Sequence, residues 1–312
     1  MYAVLKLIED LNFYHEKSPK VLSLGMFDGV HLGHISIINQ LKDEAKKNNL
    51  ETSLLTFWPH PRKIFNPNDD LKLLNTLEEK LFLLKQAGID SLFLQKFDEH
   101  FRNLTGEEFI REILIKKLNV KHIIIGHDHV FGKNKSGNFE LLQKLSSELD
   151  FTVEQLQAIK NDDDFNISST KIRNCLGNGN IVGANKMLGY SYSLSGKVVD
   201  GKKLGRTIGY PTANLEIDEL KLLPKKGAYI VEVFVKDQFY KGMMSIGTNP
   251  TVNGDKLTSE VYILDFNQDI YGEVITVKFR DFLHEEIKFE SLEKLIERLD
   301  EDKVLTENFN FS

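Results

Sequence analysis

Apolar and polar residues follow two different patterns, one in each half of the chain. Up to about residue 160, short apolar runs alternate with segments in which apolar residues recur at helical spacing. After about residue 186, short strand-like runs of alternating apolar and polar residues are separated by turn residues. The first pattern predicts a parallel sheet with helices on both faces, and the second predicts a small antiparallel β-barrel.

The first half opens with a strand, a turn and a helix between residues 20 and 47. Residues 21–24 form the apolar run of a buried strand, and apolar residues recur at helical spacing over 35–45. Further strands are predicted at 53–58, 91–97, 121–126 and 151–157, and further helices at 76–88, 104–119 and 138–149. Because ligands of parallel sheets bind at the carboxyl ends of the strands, the turns that follow these strands are the candidate site.

The second half is predicted to be rich in short strands and to end in a helix. The predicted strands are 191–201, 227–235, 239–247, 259–266 and 272–283, and the helix is 291–309. A chain of 312 residues is about twice the length of a common domain. We therefore predict two domains, 1–186 and 187–312.

Composition excludes several classes of protein. A formal net charge of −6 argues against a non-specific nucleic-acid binder. The chain has one cysteine, Cys175, which fits a reducing compartment. It has no apolar run long enough to cross a membrane, and its N-terminus lacks the apolar segment of a secretory signal. We expect a cytoplasmic protein that binds neither membrane nor nucleic acid.

The turn after the first strand has the composition of a phosphate site. Gly25, Gly29 and Gly33 permit a tight turn and a close approach of the backbone to a ligand. The helix that follows attracts anions through its free N–H groups and its dipole. His31 and His34 lie in this turn and are candidates to donate hydrogen bonds to phosphate oxygens. The plain alternative is two surface histidines, and a metal site is disfavoured because no further ligand stands at suitable spacing.

Three more loops of the first half carry charged or hydroxyl side chains. They are the Pro59–Arg62 turn, the Gly-rich loop 126–137 and the segment 162–173, in which hydroxyl residues precede a short helix with basic residues. The last arrangement suits an anion at a helix N-terminus. The alternatives are a rigid turn, a flexible surface loop and a simple helix cap. No Walker A pattern occurs in the sequence, so the nucleotide site is not a P-loop.

The barrel half contains a second candidate site. Residues 201–215 combine glycines with basic residues such as Arg206, which suits a loop around phosphate. On an extended chain the Thr212 hydroxyl and the Asn214 amide point to one face, and hard oxygen ligands suit Mg²⁺. Glu260, on a predicted strand, is a candidate base for an attacking hydroxyl. The alternatives are a basic loop followed by a turn, and an exposed glutamate without a chemical role.

The order of these motifs resembles known families. The G-x-F-D-G-x-H-x-G-H turn, followed by SSTKIR, resembles the Rossmann-like HxGH nucleotidyltransferases, which transfer a nucleotidyl group from ATP. From about Lys20 to about Asp302 the chain resembles the prokaryotic-type bifunctional riboflavin kinase/FMN adenylyltransferases, also called FAD synthetases. This resemblance rests on GMFDGVHLGH, TFWPHPR, LNTLEEKLFLLKQAGID, GHDHVFGKNKSGN, SSTKIR, GRTIGYPTANL, GAYIVEV, SIGTNPT, EVYILDF and KFESLEKL.

The resemblance implies two ATP-dependent reactions. The barrel, of the riboflavin kinase type, would phosphorylate riboflavin to FMN, and the first domain would join FMN to AMP to give FAD and pyrophosphate. The expected partners are therefore riboflavin, FMN, FAD and ATP, with Mg²⁺ as the metal. One alternative is that only one of the two activities is retained. Another is a flavin-binding regulatory or nucleic-acid-binding protein, which the negative charge disfavours.

The resemblance also assigns residues. In the first domain His31 and His34 would hold ATP phosphates, and the other binding residues would be Gly25, Phe27, Asp28, Gly29, Asp128, Ser169, Thr170 and Arg173. In the barrel Glu260 would be the base, and Thr212 and Asn214 would be the metal ligands. The nucleotide-binding residues would be Gly205, Arg206 and Pro211. The sequence departs from the family pattern at His129, Val130 and His284.

Overall fold

The computed structural model describes residues 5–66, 68–127, 129–157, 166–201, 204–251 and 254–311, with the backbone alone at 12, 249–251 and 254–256. The chain divides into two compact units, Met1–Ser168 and Ser169–Ser312. No helix of the described residues is long and apolar enough to cross a membrane.

A six-stranded sheet of order β1-β4-β3-β2-β5-β6 forms the centre of the first unit. Its strands are β1 (Lys6–Ile8), β2 (Lys20–Leu24), β3 (Glu51–Phe57), β4 (Ser91–Gln95), β5 (Val120–Gly126) and β6 (Thr152–Leu156). All the pairings are parallel, as the sequence predicts. In the sheet, β3 lies on one side of β2 and β5 lies on the other side. The chain therefore adds strands first on one side of β2 and later on the other. The carboxyl end of β2 therefore lies where the strand order reverses, which is the usual place for a ligand.

Helices cover both faces of this sheet. They are α1 (Leu32–Asn48), α2 (Pro61–Phe65), α3 (Leu77–Ala87), α4 (Glu99–Asn103), α5 (Gly106–Glu108) and α6 (Phe139–Leu149). Successive residues of β2 point to opposite faces, so Val21 joins one apolar cluster and Leu22 joins the other. All residues of β2 and β4 are buried on both faces, which explains why these inner strands read as nearly continuous apolar runs.

Local cap residues place α3 where the sequence predicts it. Thr76 and Glu79 form a reciprocal capping box, and Gly88 ends the helix in a left-handed conformation. The predicted helix 104–119 differs in detail. It begins as α5 after the Thr105 cap and continues as a π-helical segment, Phe109–Lys117. The sequence could not show this change, because apolar spacing over two turns does not distinguish the two helix types. It also missed β1, a strand of three residues that lacks a distinctive pattern.

A closed antiparallel barrel of order β10-β11-β8-β7-β12-β9 forms the second unit. Its strands are β7 (Ser193–Val199), β8 (Thr212–Ile217), β9 (Gly227–Val235), β10 (Gln238–Thr251), β11 (Gly254–Ile263) and β12 (Val274–His284). Lys236 and Asp237 join β9 to β10 with φ of 49° and 60°, as a two-residue hairpin requires. Closure leaves no open sheet edge, so this small unit pairs all its strands.

In the described residues of this unit, four helices accompany the barrel strands. They are α7 (Ser169–Gly177), α8 (Ile181–Leu188), α9 (Leu204–Thr207) and the C-terminal α10 (Leu292–Asn308). Asn185 of α8 donates from Nδ2 to the Phe279 carbonyl of β12 over 2.9 Å. Lys241 of β10 donates from Nζ to the Glu307 carbonyl of α10 over 2.5 Å. The α8 and α10 helices are therefore hydrogen-bonded to barrel strands.

Candidate active sites

The turn between β2 and α1 is built from left-handed residues. Phe27, Gly29 and Val30 have φ of 48°, 88° and 37°, a conformation that is costly for residues with a side chain. His31 then occupies the N-cap of α1 without a capping side-chain hydrogen bond. The first N–H groups of α1 are therefore not used by the N-cap side chain, as an anion site requires.

The two histidines of the turn form a stacked pair. Their ring centroids lie 3.7 Å apart at an interplanar angle of 15°. The Phe27 ring packs against His34 at an interplanar angle of 60°, with the centroids 5.2 Å apart. His31 is only 6% exposed, and the Nδ1 atoms of both rings lack a hydrogen-bond partner within the described residues. The alternative of two surface histidines is therefore wrong for His31.

Burial sets the charge of this pair. It lowers the pKa of His31 from 6.5 to about 4. Burial also lowers the pKa of His34 well below 6.5, and the positive charges of His31 and Lys80 add to this effect. Both imidazoles are therefore neutral at neutral pH. A neutral imidazole still donates one hydrogen bond, so the pair can bind phosphate oxygens without carrying a charge.

Asp28 points into the protein. It is 3% exposed, and its Oδ1 accepts hydrogen bonds from the backbone N–H groups of Leu74 and Asn75 over 3.0 and 3.4 Å. This carboxylate therefore ties the turn to the segment before α3. At Gly25 a Cβ atom would lie 3.4 Å from the Phe27 ring, an ordinary contact, so the structure does not require glycine there.

An aromatic cavity of about 630 Å³ opens at the same edge of the sheet. Gly25 and Met26 line it on the side of the turn, and Arg102 and Lys133 contribute positive charge. Its aromatic walls are Phe57, Phe65, Phe97, Phe101, Phe109 and Phe131. These rings are not recognisable as a group in the sequence, because they come from separate strands, helices and loops. The only available signal was that Phe57 ends β3 and Phe97 follows β4.

Two residues that depart from the family pattern, His129 and Val130, also line this cavity. The His129 ring stacks on Phe131 with the centroids 6.0 Å apart. Asp128, predicted as a binding residue in the same loop, lies outside the described residues. Ser169, Thr170 and Arg173 lie on α7, which belongs to the second compact unit. Their predicted action beside His31 stays a prediction.

The second candidate site lies on two neighbouring strands of the barrel. Glu260 of β11 pairs directly with Asn214 of β8, and Tyr262 pairs with Thr212. The Thr212 hydroxyl donates to Glu260 Oε2 over 3.0 Å. Gly201 lies against the Asn214 amide, where an added Cβ would overlap that side chain. The three side chains predicted from the sequence are thus brought together.

Two cavities meet at Thr212. One, of about 410 Å³, is lined by Thr212 together with Arg206, Pro211 and Tyr271. The other, of about 310 Å³, is lined by Thr212 together with Gly205 and Glu260 and by residues of α10. Arg206 donates from Nη2 to the Tyr271 hydroxyl over 3.2 Å. Two ligands can therefore approach the same threonine from two sides.

The donor atoms of this site fit a hard divalent cation. Thr212 and Glu260 present oxygen atoms in hydrogen-bond contact, and Asn214 pairs with Glu260 across the strands. Among the described residues, no group of three or more His, Cys, Asp or Glu is placed to hold a metal alone. A cation bound here would complete its coordination shell with water and substrate phosphate, as Mg²⁺ commonly does.

His284, the third departure from the family pattern, joins the end of β12 to α10. Its Nε2 lies 2.8 Å from Oδ2 of Asp302, which is 3% exposed. Arg298 approaches the other oxygen of Asp302 over 2.8 Å. Asp302 lines the same cavity as Glu260. His284 thus helps to hold α10 at the wall of that cavity.

Comparison with known proteins identifies both units. The FAD synthetase family model matches residues 14–171, and the riboflavin kinase family model matches residues 188–310. The bifunctional riboflavin kinase/FMN adenylyltransferase of Listeria monocytogenes is 40% identical over 93% of this chain and 92% of its own length. The protein of the same name from Escherichia coli K12 is 38% identical over 93% and 92%.

A solved structure extends the likeness to nearly the whole chain. It is described as a macrolide-efflux protein from Streptococcus pneumoniae, is 34% identical and has a TM-score of 0.89. The match covers 98% of this chain and 99% of that one. Both domain types and both sets of site residues are present on one chain. The chain therefore belongs to the bifunctional riboflavin kinase/FMN adenylyltransferase family.

Proposed function

We propose that this protein makes FAD from riboflavin in two steps, with one step in each unit. The barrel phosphorylates riboflavin at the Thr212–Glu260 site, and the first unit adenylylates FMN at the His31–His34 turn. The observation that carries the proposal is the position of Thr212 between two cavities, in hydrogen-bond contact with a carboxylate. The presence of both domain types supports it over the alternative with a single activity.

In the kinase step, Glu260 acts as the general base. The cavity of about 310 Å³ takes riboflavin, and that of about 410 Å³ takes ATP. Glu260 accepts the proton of the ribityl 5′-hydroxyl, whose oxygen attacks the γ-phosphorus. The bond from that phosphorus to the bridging oxygen breaks, and ADP leaves. Arg206 lines the ATP cavity and binds phosphate there, and Gly205 and Pro211 shape the loop beside it.

Thr212 and Asn214 would hold Mg²⁺ in this site. When bound, the cation would supply positive charge to offset that of the transferred phosphoryl group. The Thr212 hydroxyl can donate to Glu260 and still offer a lone pair, so it serves the base and the metal together.

In the adenylyl-transfer step, the neutral histidine pair and the N-terminus of α1 bind ATP phosphates. A phosphate oxygen of FMN attacks the α-phosphorus, and pyrophosphate leaves. Neither step needs a covalent enzyme intermediate, so positioning and charge stabilisation dominate catalysis. The aromatic cavity holds the planar flavin ring beside Gly25. Asp128, Ser169, Thr170 and Arg173 are retained as proposed binding residues of this step.

The functional domains are proposed as 1–186 and 187–312, in the cytoplasm. Incubation with riboflavin, ATP and Mg²⁺, followed by chromatography, tests the whole proposal. We expect FMN to appear first and FAD after it. Formation of FMN alone, or of FAD only from added FMN, would select the alternative with one activity. Flavin binding without turnover would refute both.

A further inference from the structure

Lys80 is a buried lysine beside the histidine turn that the proposed mechanism does not use. It lies on α3 and is 2% exposed. Its Nζ donates to the Met26 carbonyl over 2.9 Å and lies 5.6 Å from the centroid of the Trp58 ring. A buried ammonium costs free energy unless it is paired, so its position needs an explanation.

Lys80 anchors one end of the strained part of the turn. Met26 precedes Phe27, and its carbonyl also accepts from the Thr56 hydroxyl over 3.3 Å. Asp28 follows Phe27 and is held by the backbone N–H of Leu74 over 3.0 Å. Phe27, between these two anchors, has a φ of 48°. A non-glycine residue keeps such a conformation only when its surroundings fix it on both sides.

The anchored residue is in contact with the histidines. The Phe27 ring packs against His34, and His34 stacks on His31. A continuous path of contacts thus leads from Lys80 through Met26 and Phe27 to the histidine pair. Movement of the Met26 carbonyl would change the direction of both imidazoles.

Charge adds to this mechanical link. Among the groups that face Lys80, Asp28 attracts its ammonium, and the ammonium in turn opposes protonation of His34. Met26 presents only its neutral carbonyl to the ammonium. Lys80 thus favours the neutral state of His34, in which its ring can donate to phosphate without electrostatic repulsion of His31.

We propose that Lys80 is a positioning residue for adenylyl transfer, which fixes the Met26 carbonyl and so aims the His31–His34 pair at the phosphates of ATP. It does so without touching the substrate. This inference rests on the proposed use of that pair in FAD formation. It concerns the first unit alone, so the kinase reaction provides an internal control.

The test compares three variants of the full-length protein. Lys80→Met removes the donor and the charge, Lys80→Arg keeps both, and Lys85→Met changes an exposed lysine on the same helix. We expect Lys80→Met to lower the kcat of FAD formation by about 10- to 100-fold, as loss of one hydrogen bond to a charged group predicts. The KM for FMN should change much less, and FMN formation from riboflavin should not change. Lys80→Arg should restore most of the loss, and Lys85→Met should behave as wild type.

A pH series separates this role from a purely structural one. Burial lowers the pKa of Lys80 from 10.5 to about 8. The kcat of FAD formation should therefore fall as the pH rises through about 8, and arginine at this position should abolish the fall. Trp58 is the only tryptophan of the chain, so its emission reports the ionisation of its neighbour Lys80. In the wild type, the Trp58 emission should change with pH at the same midpoint as the kcat. In Lys80→Arg the emission should show no such change.

Several results would overturn the inference. They are an unchanged kcat in Lys80→Met, a parallel loss of both reactions, or an arginine variant no better than the methionine variant. A Trp58 titration that the kcat does not follow would also overturn it. Failure of the proposed function is distinguishable, because the wild-type protein would then form no FAD at all.

Discussion

The Thr212 hydroxyl donates a hydrogen bond to Glu260 Oε2 over 3.0 Å. The two residues come from neighbouring antiparallel strands, β8 and β11, and are offset by two residues in the register, because Glu260 pairs with Asn214 and Thr212 pairs with Tyr262. Through this contact Thr212, the proposed metal ligand, orients Glu260, the proposed base. The first two predictions concern this pair.

Glu260→Gln should lower the kcat of FMN formation by about 10²- to 10⁴-fold, the usual contribution of general base catalysis. Glutamine keeps an oxygen that can accept from Thr212 but has no basic oxygen for the substrate proton. Separate assays of FMN formation and of FAD formation from added FMN measure the effect. FAD formation should persist. Glu216→Gln, an exposed change on β8, is the control, and equal activities in the two variants would exclude Glu260 as the base.

Thr212→Val should raise the Mg²⁺ concentration needed for half-maximal FMN formation. Valine keeps the branched shape at this position but removes the oxygen proposed to bind the cation. Thr212→Ser keeps the hydroxyl and should behave nearly as wild type. A titration of kinase activity with Mg²⁺ measures the shift. If the half-maximal Mg²⁺ concentration is unchanged in the valine variant, Thr212 does not bind the cation.

His31→Ala should abolish most FAD formation and leave FMN formation intact. The variant removes one hydrogen-bond donor from the phosphate site, a change typically worth about 10²- to 10³-fold in kcat. The exposed His15→Ala is the matched control. Unchanged FAD synthesis would exclude His31 from the mechanism, and loss of both reactions would contradict the assignment of separate sites.

The stability of the first unit should fall as the pH falls from about 6.5 toward 4. His31 has a pKa of about 4 when folded and 6.5 as its ordinary value. On acidification the unfolded chain therefore binds a proton that the folded chain does not bind. This lowers the free energy of unfolding by at most about 3 kcal/mol. This stability is complete above pH 6.5 and lost on acidification.

Urea unfolding followed by Trp58 emission measures this effect, because the only tryptophan lies in the first unit. The free energy of unfolding should depend less steeply on acid pH in His31→Gln than in the wild type. The pKa of the half-buried His34 is lowered as well, so part of the slope should remain. The exposed His15→Gln should keep the full slope, and equal slopes in all three proteins would contradict the prediction.

Phe97→Ala should weaken the binding of FMN in the adenylyl-transfer step. Loss of one stacking ring is expected to cost about 1–3 kcal/mol, equivalent to a rise of about 5- to 150-fold in the KM for FMN. The KM for riboflavin in the kinase step should not change. Phe82→Ala removes a ring that is 60% exposed on α3 and serves as the control. An unchanged KM for FMN would place the flavin elsewhere.

Much of the architecture was predictable because local patterns are strong in this chain. Apolar runs marked five of the six parallel strands, and cap residues such as Thr76 and Gly88 marked the limits of α3. The motif GMFDGVHLGH indicated a phosphate-binding turn, and the spacing of Thr212 and Asn214 indicated a shared face. Such signals lie within a few residues of one another, so the sequence alone reveals them.

Other features depend on residues that are distant in the sequence. Lys80 and Met26 lie far apart along the chain, and the rings of the aromatic cavity come from several elements. The spacing of apolar and polar residues does not indicate that a particular lysine will be buried. It also does not indicate that several phenylalanines will line the same cavity. Only parallel strand order and helix packing bring them to the same edge.

By itself, the sequence determined the two-domain plan, the family and the residues that carry the proposed chemistry. The tertiary structure decided the state of those residues. Burial keeps His31 and His34 neutral, and strand register placed Glu260 against Thr212. The physical reason is that charge state and side-chain proximity depend on solvent exclusion and on contacts between remote segments, which no local pattern specifies.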